Sequence, residues 1–188
     1  MNINNLILRR LGRYLGLAAA INAWIFIYIS ISVNPWFDLY RDALSDLGTL
    51  DANQPWIYNV GLMISGALLI LYTVYLVYTS NNKVEVVGSG YIAIAGIFLA
   101  LIGIFPGGTR PHVFVSTYFF VQMGIAIFLM GLGALKDGRV FYGSTSIFIF
   151  LFMLLGSPLN WPSVALLEVY EVILLDIWVI LRTFYWEK

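Results

Sequence analysis

The chain has no cysteine, a single histidine, and charge on only 11% of its 188 residues. Without cysteine there is no disulfide framework, no thiolate metal site and no iron–sulfur cluster. One histidine excludes haem held by two histidines and zinc held by three. Ten basic residues cancel ten acidic ones, so no basic patch is left for nucleic acid. No cofactor and no bound metal is expected. What the chain has in excess is apolar surface: 61% of residues are hydrophobic, and the mean hydropathy is +0.87. An ordinary soluble domain is about 45–50% apolar and about 25% charged. A water-soluble globule is thereby excluded, and a membrane protein remains.

A spanning helix needs about 20 apolar residues. The charges leave gaps at 14–37, 52–82, 86–109, 111–135 and 140–167, and each gap holds at least one span. Five helices are expected near 14–33, 56–79, 88–105, 112–135 and 140–156. The fifth stops at Ser157-Pro158-Leu159-Asn160-Trp161-Pro162, where two prolines break it. A sixth span is read over 163–185 despite Glu168, Glu171 and Asp176. The expected fold is an all-α, six-transmembrane-helix bundle forming one membrane domain over 1–188. The run from Tyr14 to Val33 lacks a polar cleavage region and reads as a retained anchor.

Lysine and arginine set orientation. With six spans, one side carries Arg9, Arg10, Arg13, Lys83, Lys136, Arg139, Arg182 and Lys188, and the other only Arg41 and Arg110. Eight against two places both termini in the cytoplasm of a cell-membrane protein. Trp36, Trp56, Trp161 and Trp186 fall at predicted interfaces, where amphipathic rings settle. The outer loop from Asn34 to Pro55 has 22 residues, where about 4–6 is typical. Its stretch from roughly Phe37 to Leu47 has helical character, and on a helix Asp38, Asp42 and Asp46 form one acidic stripe. Such a stripe offers oxygens to a hard cation, or is simply a solvated face.

Polar residues in hydrocarbon face protein or a cavity. Two layers emerge when the helices are projected from the outer end. Asn22, Ser65, Gln122 and Asp176 form an intramembrane layer at mid-depth. Nearer the surface lie Ser45, Asp46, Asn59, Arg110, His112, Ser116, Glu168 and Glu171, the candidate ligand-binding set. Glu168 and Glu171 are three apart and share a helix face. Asp176 is read as glue donating to Gln122 or Asn22, or alternatively as part of a proton or cation path. Thr109 is expected to cap the fourth helix, with Pro111 just inside it. Arg110 at that helix start makes a candidate anion site. Ser116 lies one turn beyond His112, so a serine–histidine pair oriented by Asp46 or Glu168 is one catalytic arrangement. Gly12, Gly16 and Ala20 on the first helix, Gly96 and Ala100 on the third, and Gly124 and Gly131 on the fourth form small-residue faces. These suit close packing inside the bundle or pairing with other membrane subunits.

Several of these segments resemble one family. They are Ser45-Asp46-Leu47-Gly48, Tyr58-Asn59-Val60-Gly61-Leu62, Gly103-Ile104-Phe105-Pro106 followed by His112, and Leu167-Glu168 with Trp178. Together they resemble the multi-pass membrane family catalogued as domain of unknown function 998, six-helix proteins frequent in archaea. The chain departs from it at Val169, where members often carry a basic residue. The resemblance implies the fold and one constellation of Asp46, Asn59, His112 and Glu168, and it implies no chemistry.

Three functions are compatible with these residues. One is a non-catalytic bundle that binds a membrane lipid or small amphiphile in an outward-facing polar pocket, or serves as a small subunit of a membrane assembly. The second is a membrane-embedded hydrolase using Asp46, His112, Ser116 and Glu168. The third is a proton- or cation-coupled carrier using Glu168, Glu171 and Asp176, against which the lack of a visible repeat counts. The first reading is preferred.

Overall fold

Apolar runs bounded by charges become helices because a chain in hydrocarbon must satisfy its backbone within the segment. In the computed structural model, which describes residues 11–186, six α-helices follow one another. They are α1 Leu15–Val33, α2 Trp56–Thr79, α3 Lys83–Ile104, α4 His112–Lys136, α5 Val140–Gly156 and α6 Val164–Phe184. No strand occurs among the described residues, and the fold is an all-α membrane bundle. Helices α1 to α4 are each long and apolar enough to cross a membrane, and α5 is a shorter apolar helix. Arg9, Arg10 and Lys188, which enter the charge count, lie outside the described residues.

Two boundaries differ from the sequence reading. Helix α3 begins at Lys83 rather than near residue 88. Asn82 accepts a hydrogen bond from Glu85 N at its start, so polar residues that an apolar count discards form its first turn. The acidic stripe expected between Phe37 and Leu47 is absent. Only Leu44–Gly48 is helical there, as one short 3-10 helix. Each aspartate folds onto nearby backbone instead: Asp38 accepts from Tyr40 N, Asp42 from Asp38 N and Asp46 from Ala43 N. Local acceptors of this kind compete with helix formation.

The helices pack through small residues. At the α2–α3 crossing, a Cβ added to Gly66 would lie 2.5 Å from Gly96 O and 2.8 Å from Ala100 N. Only glycine lets two backbones approach so closely. The small-residue face of the first helix is occupied within the chain, with Gly12 against Tyr75 and Gly16 against Tyr72 and Val179. Gly131 lies against Gly143 and Ser146 of α5, while Gly124 faces Phe150 more loosely.

The two ends of the bundle have different chemistry. At the terminal end, Arg13 Nη2 donates to Thr183 O at 2.9 Å, joining the first and last segments. Buried Glu85 pairs there with Arg139. Arg182, 1% exposed, donates to Thr79 Oγ1 and lies 4.0 Å from the Trp186 ring centre. In the α4–α5 turn, Asp137 accepts from Asn82 and Arg139. The Asn82 hydrogen bond, with help from Arg139, holds its carboxyl below the usual carboxylate range. At the opposite, loop end, Ala165 N donates to Asp42 O and Leu44 N donates to Glu168 Oε2 at 2.7 Å. Helix α6 therefore runs from the loop end to the terminal end.

Candidate functional site

The loop end is assembled from the short motifs of the sequence, and glycine is what permits it. A Cβ on Gly48 would lie 2.3 Å from Asn59 Oδ1, and one on Gly103 would lie 2.3 Å from Asn59 O. Asn59 is thus held between the 3-10 segment and the end of α3, with its Nδ2 donating to Gly48 O at 3.0 Å. Gly107 lies beneath Ser45 O in the same way. His112, 8% exposed, is bonded through Nδ1 to Phe105 O at 2.9 Å, which closes the α3–α4 connection. Asn34, buried at 1%, ties the loop to α1. Its amide donates to Ser30 O and Asn53 O, and its Oδ1 accepts from Trp36 Nε1 and Asn53 N.

Inside this scaffold lie two cavities. The central one, about 100 Å³, is lined by α1, α2, α3, α4 and α6 together with Leu44 of the 3-10 segment. Tyr58, Ser65, Ser116, Glu168 and Asp176 supply its polar groups, and the rest of the lining is apolar, including Ala19, Ala20 and Met123. The second, about 540 Å³, is a groove between α4, α5 and α6. Its wall includes Phe120, Val121, Phe150, Leu154 and Leu167, and Ser116, Ser157, Glu168 and Glu171 lie on it. Ser116, Phe120 and Glu168 line both spaces. Glu168 thus stands at the junction, one oxygen anchored by Leu44 N. Glu171 is 3% exposed. Its Oε1 accepts from Ser157 Oγ at 2.5 Å, while its Oε2 is buried without a partner.

The anticipated constellation comes together only in part. Glu168 and Asp46 both lie within electrostatic reach of the Tyr58 phenol, and Asn59 adjoins the same segment. Neither cavity is lined by Ser45, Asp46, Asn59, Arg110 or His112. The side chains of Asp46, Asn59 and His112 bond the backbone of the loop end, Ser45 is buried beside them, and Arg110 is exposed. The Ser116 hydroxyl donates to the carbonyls of His112 and Val113 and forms no hydrogen bond to the imidazole. Thr109 does not cap α4: its hydroxyl returns to Pro106 O at 2.8 Å, and Pro111 occupies the cap position without a side-chain bond. No group of three His, Asp or Glu side chains that would hold a metal is present among the described residues.

The mid-depth layer also divides. Asn22 Nδ2 donates to Ser65 Oγ and Gly61 O, both at 2.9 Å, and Ser65 passes a hydrogen bond on to Ala19 O. Asp176 bonds neither Gln122 nor Asn22. It accepts from Trp24 Nε1 at 2.7 Å, an indole donor that a reading of the short polar side chains overlooks. Gln122 makes no side-chain hydrogen bond, and its Oε1 is buried. Tyr58 and the Glu85–Arg139 pair were not singled out as polar sites. Tyr58 stood inside a recognised motif, whereas Glu85 and Arg139 are 54 residues apart and carry no local signal.

A family model described as protein of unknown function (DUF998) matches residues 17–185. Searches of curated proteins and of solved structures find no significant match.

Proposed function

The chain belongs to the DUF998 family, and from that premise we propose that it is a non-catalytic membrane bundle that takes a single amphiphile into the groove between α4, α5 and α6. One observation carries this reading: the groove is about 540 Å³, mostly apolar, with five polar side chains on it (Ser116, Thr117, Ser157, Glu168 and Glu171). Small-molecule sites are typically about 300–1,000 Å³, largely apolar, with a few placed polar groups. An alkyl chain fits the Phe120–Val121–Phe150 wall, and a headgroup meets Ser157, Glu168 and Glu171. The whole chain acts as one membrane domain with six spans, α6 included, and with the loop end outside. The basic residues Arg13, Lys83, Lys136, Arg139 and Arg182 at the terminal end support that orientation. The hydrolase reading draws little support, because the Ser116 hydroxyl is committed to its own helix.

Photolabelling tests the proposal. A C12 amphiphile carrying a diazirine in its chain, incubated with the protein in lipid nanodiscs, should label peptides of α4, α5 and α6. Val121→Trp, which places a large ring on the groove wall, should lower that labelling at least fivefold with folding unchanged. Labelling spread evenly over the lipid-facing surface, or indifferent to Val121→Trp, would refute the site.

A further inference from the structure

The polar end of the groove contains two carboxylates and no cation. Neither cavity is lined by a lysine, an arginine or the histidine. Of the neutral groups nearby, Ser116 donates to backbone carbonyls, Ser157 shares its hydroxyl between Met153 O and Glu171 Oε1, and Thr117 lies exposed on the wall. Glu168 spends one oxygen on Leu44 N. Glu171 keeps Oε2 buried and unpartnered in a side chain that is 97% removed from solvent. The site therefore offers two carboxyl groups and hydroxyls, and lacks a cationic donor. Leaving such a group unmatched is costly in an apolar setting.

Charge on the loop end points the same way. Asp38, Asp42, Asp46, Asp51, Glu168 and Glu171 lie there against Arg41 and Arg110 alone. A phosphate or carboxylate headgroup entering the groove would face like charge with nothing to neutralise it. A headgroup bearing N–H donors and positive charge supplies what is missing.

Resting on the reading that the groove holds an amphiphile, we propose that its ligand carries a primary ammonium headgroup, held by Glu171 Oε2 and the open oxygen of Glu168. Glu171 Oε1 stays on Ser157, which anchors the carboxylate, and a small turn of the side chain brings the buried Oε2 to the ammonium.

The test uses three competitors of one chain length (dodecylamine, dodecanol and dodecanoate) against the C12 diazirine amine in nanodiscs of uncharged lipid at pH 7. Dodecylamine should displace the label at a concentration at least tenfold below that of the other two. Glu171→Gln keeps an acceptor for Ser157 and removes the charge, and it should cut labelling by the amine about tenfold. Glu168→Gln provides the same reading should the first variant fail to fold. Equal competition by dodecanol or dodecanoate, or amine labelling unchanged in a folded Glu→Gln variant, would overturn the headgroup assignment while leaving the amphiphile site standing. Groove labelling by neither the amine nor an alcohol analogue of the probe would remove the amphiphile site itself.

Discussion

Asp176 illustrates how a residue can be placed along its helix from sequence while its partner cannot. Its place along α6, about 12 residues beyond the helix start at Val164, follows from the helix rise alone. Its partner Trp24 lies 152 residues away, on a helix whose rotation no periodicity in an apolar run reveals. Asn22 and Ser65 meet because both are small and polar on adjacent helices, whereas Gln122 points elsewhere. The Trp24–Asp176 hydrogen bond acts as interhelical glue, a contact worth about 0.6–2 kcal/mol in membranes. Trp24→Phe should therefore lower thermal stability modestly, and Asp176→Leu in the Trp24→Phe background should add little more. A double variant that loses the full sum of the two single losses would show that the pair does not act together. Asp176→Asn keeps an acceptor for the indole and should fold. Loss of proton flux in that folded variant would argue for a carrier instead.

At the scale of elements, the spans were readable because charge punctuates hydrocarbon-length runs. Helices α1, α2, α4 and α5 end within about two residues of expectation, which is the ordinary spread of helix boundaries. The start of α3 was not readable, because Asn82 and Glu85 look like loop to an apolar count and act as a cap in the fold. The connections were the least legible part, since the Asn34–Pro55 loop is set by distant partners such as Glu168 and Asn59. Helix pairing rests on close backbone approach, and α2 and α3 depend on it most. Gly66→Val places a branched side chain against backbone atoms 2.5 and 2.8 Å from its Cβ position. Backbone cannot yield as a flexible side chain does, so the loss should reach or exceed the roughly 1–3 kcal/mol typical of overpacking. The expected readout is a fall in melting temperature or in monodisperse yield. Gly90→Ala in α3, where an added Cβ meets nothing within 4 Å, should leave both unchanged.

Among the described residues the two ends differ in charge: Arg13, Lys83, Lys136, Arg139 and Arg182 lie at the terminal end, and Arg41 and Arg110 lie at the acidic loop end. The cysteine-free chain makes orientation directly measurable. Single cysteines at Leu50 and Arg110 on the loop end, and at Asn81 and Lys136 on the terminal end, replace exposed side chains. Gly108 and Gly138 are poorer choices, because both have positive φ that strains any other residue. An impermeant thiol reagent added to intact cells should modify positions 50 and 110 and spare 81 and 136. The reverse pattern would invert the molecule, and labelling of all four would break the six-span topology.

Helix α5 has 17 residues, about 25 Å at 1.5 Å per residue. That is shorter than a hydrocarbon core of about 30 Å, and in the proposed six-span topology a span this short would be accommodated by local thinning of the bilayer around it. The thinning would fall on the flank where the groove lies, since α5 forms one of its walls. Under the proposed function, the headgroup plane would dip there toward Ser157 and Glu171, and an amphiphile would enter sideways from its own leaflet with its polar end hydrated until it met the carboxylates. Lengthening α5 would close that route without touching a single residue of the site.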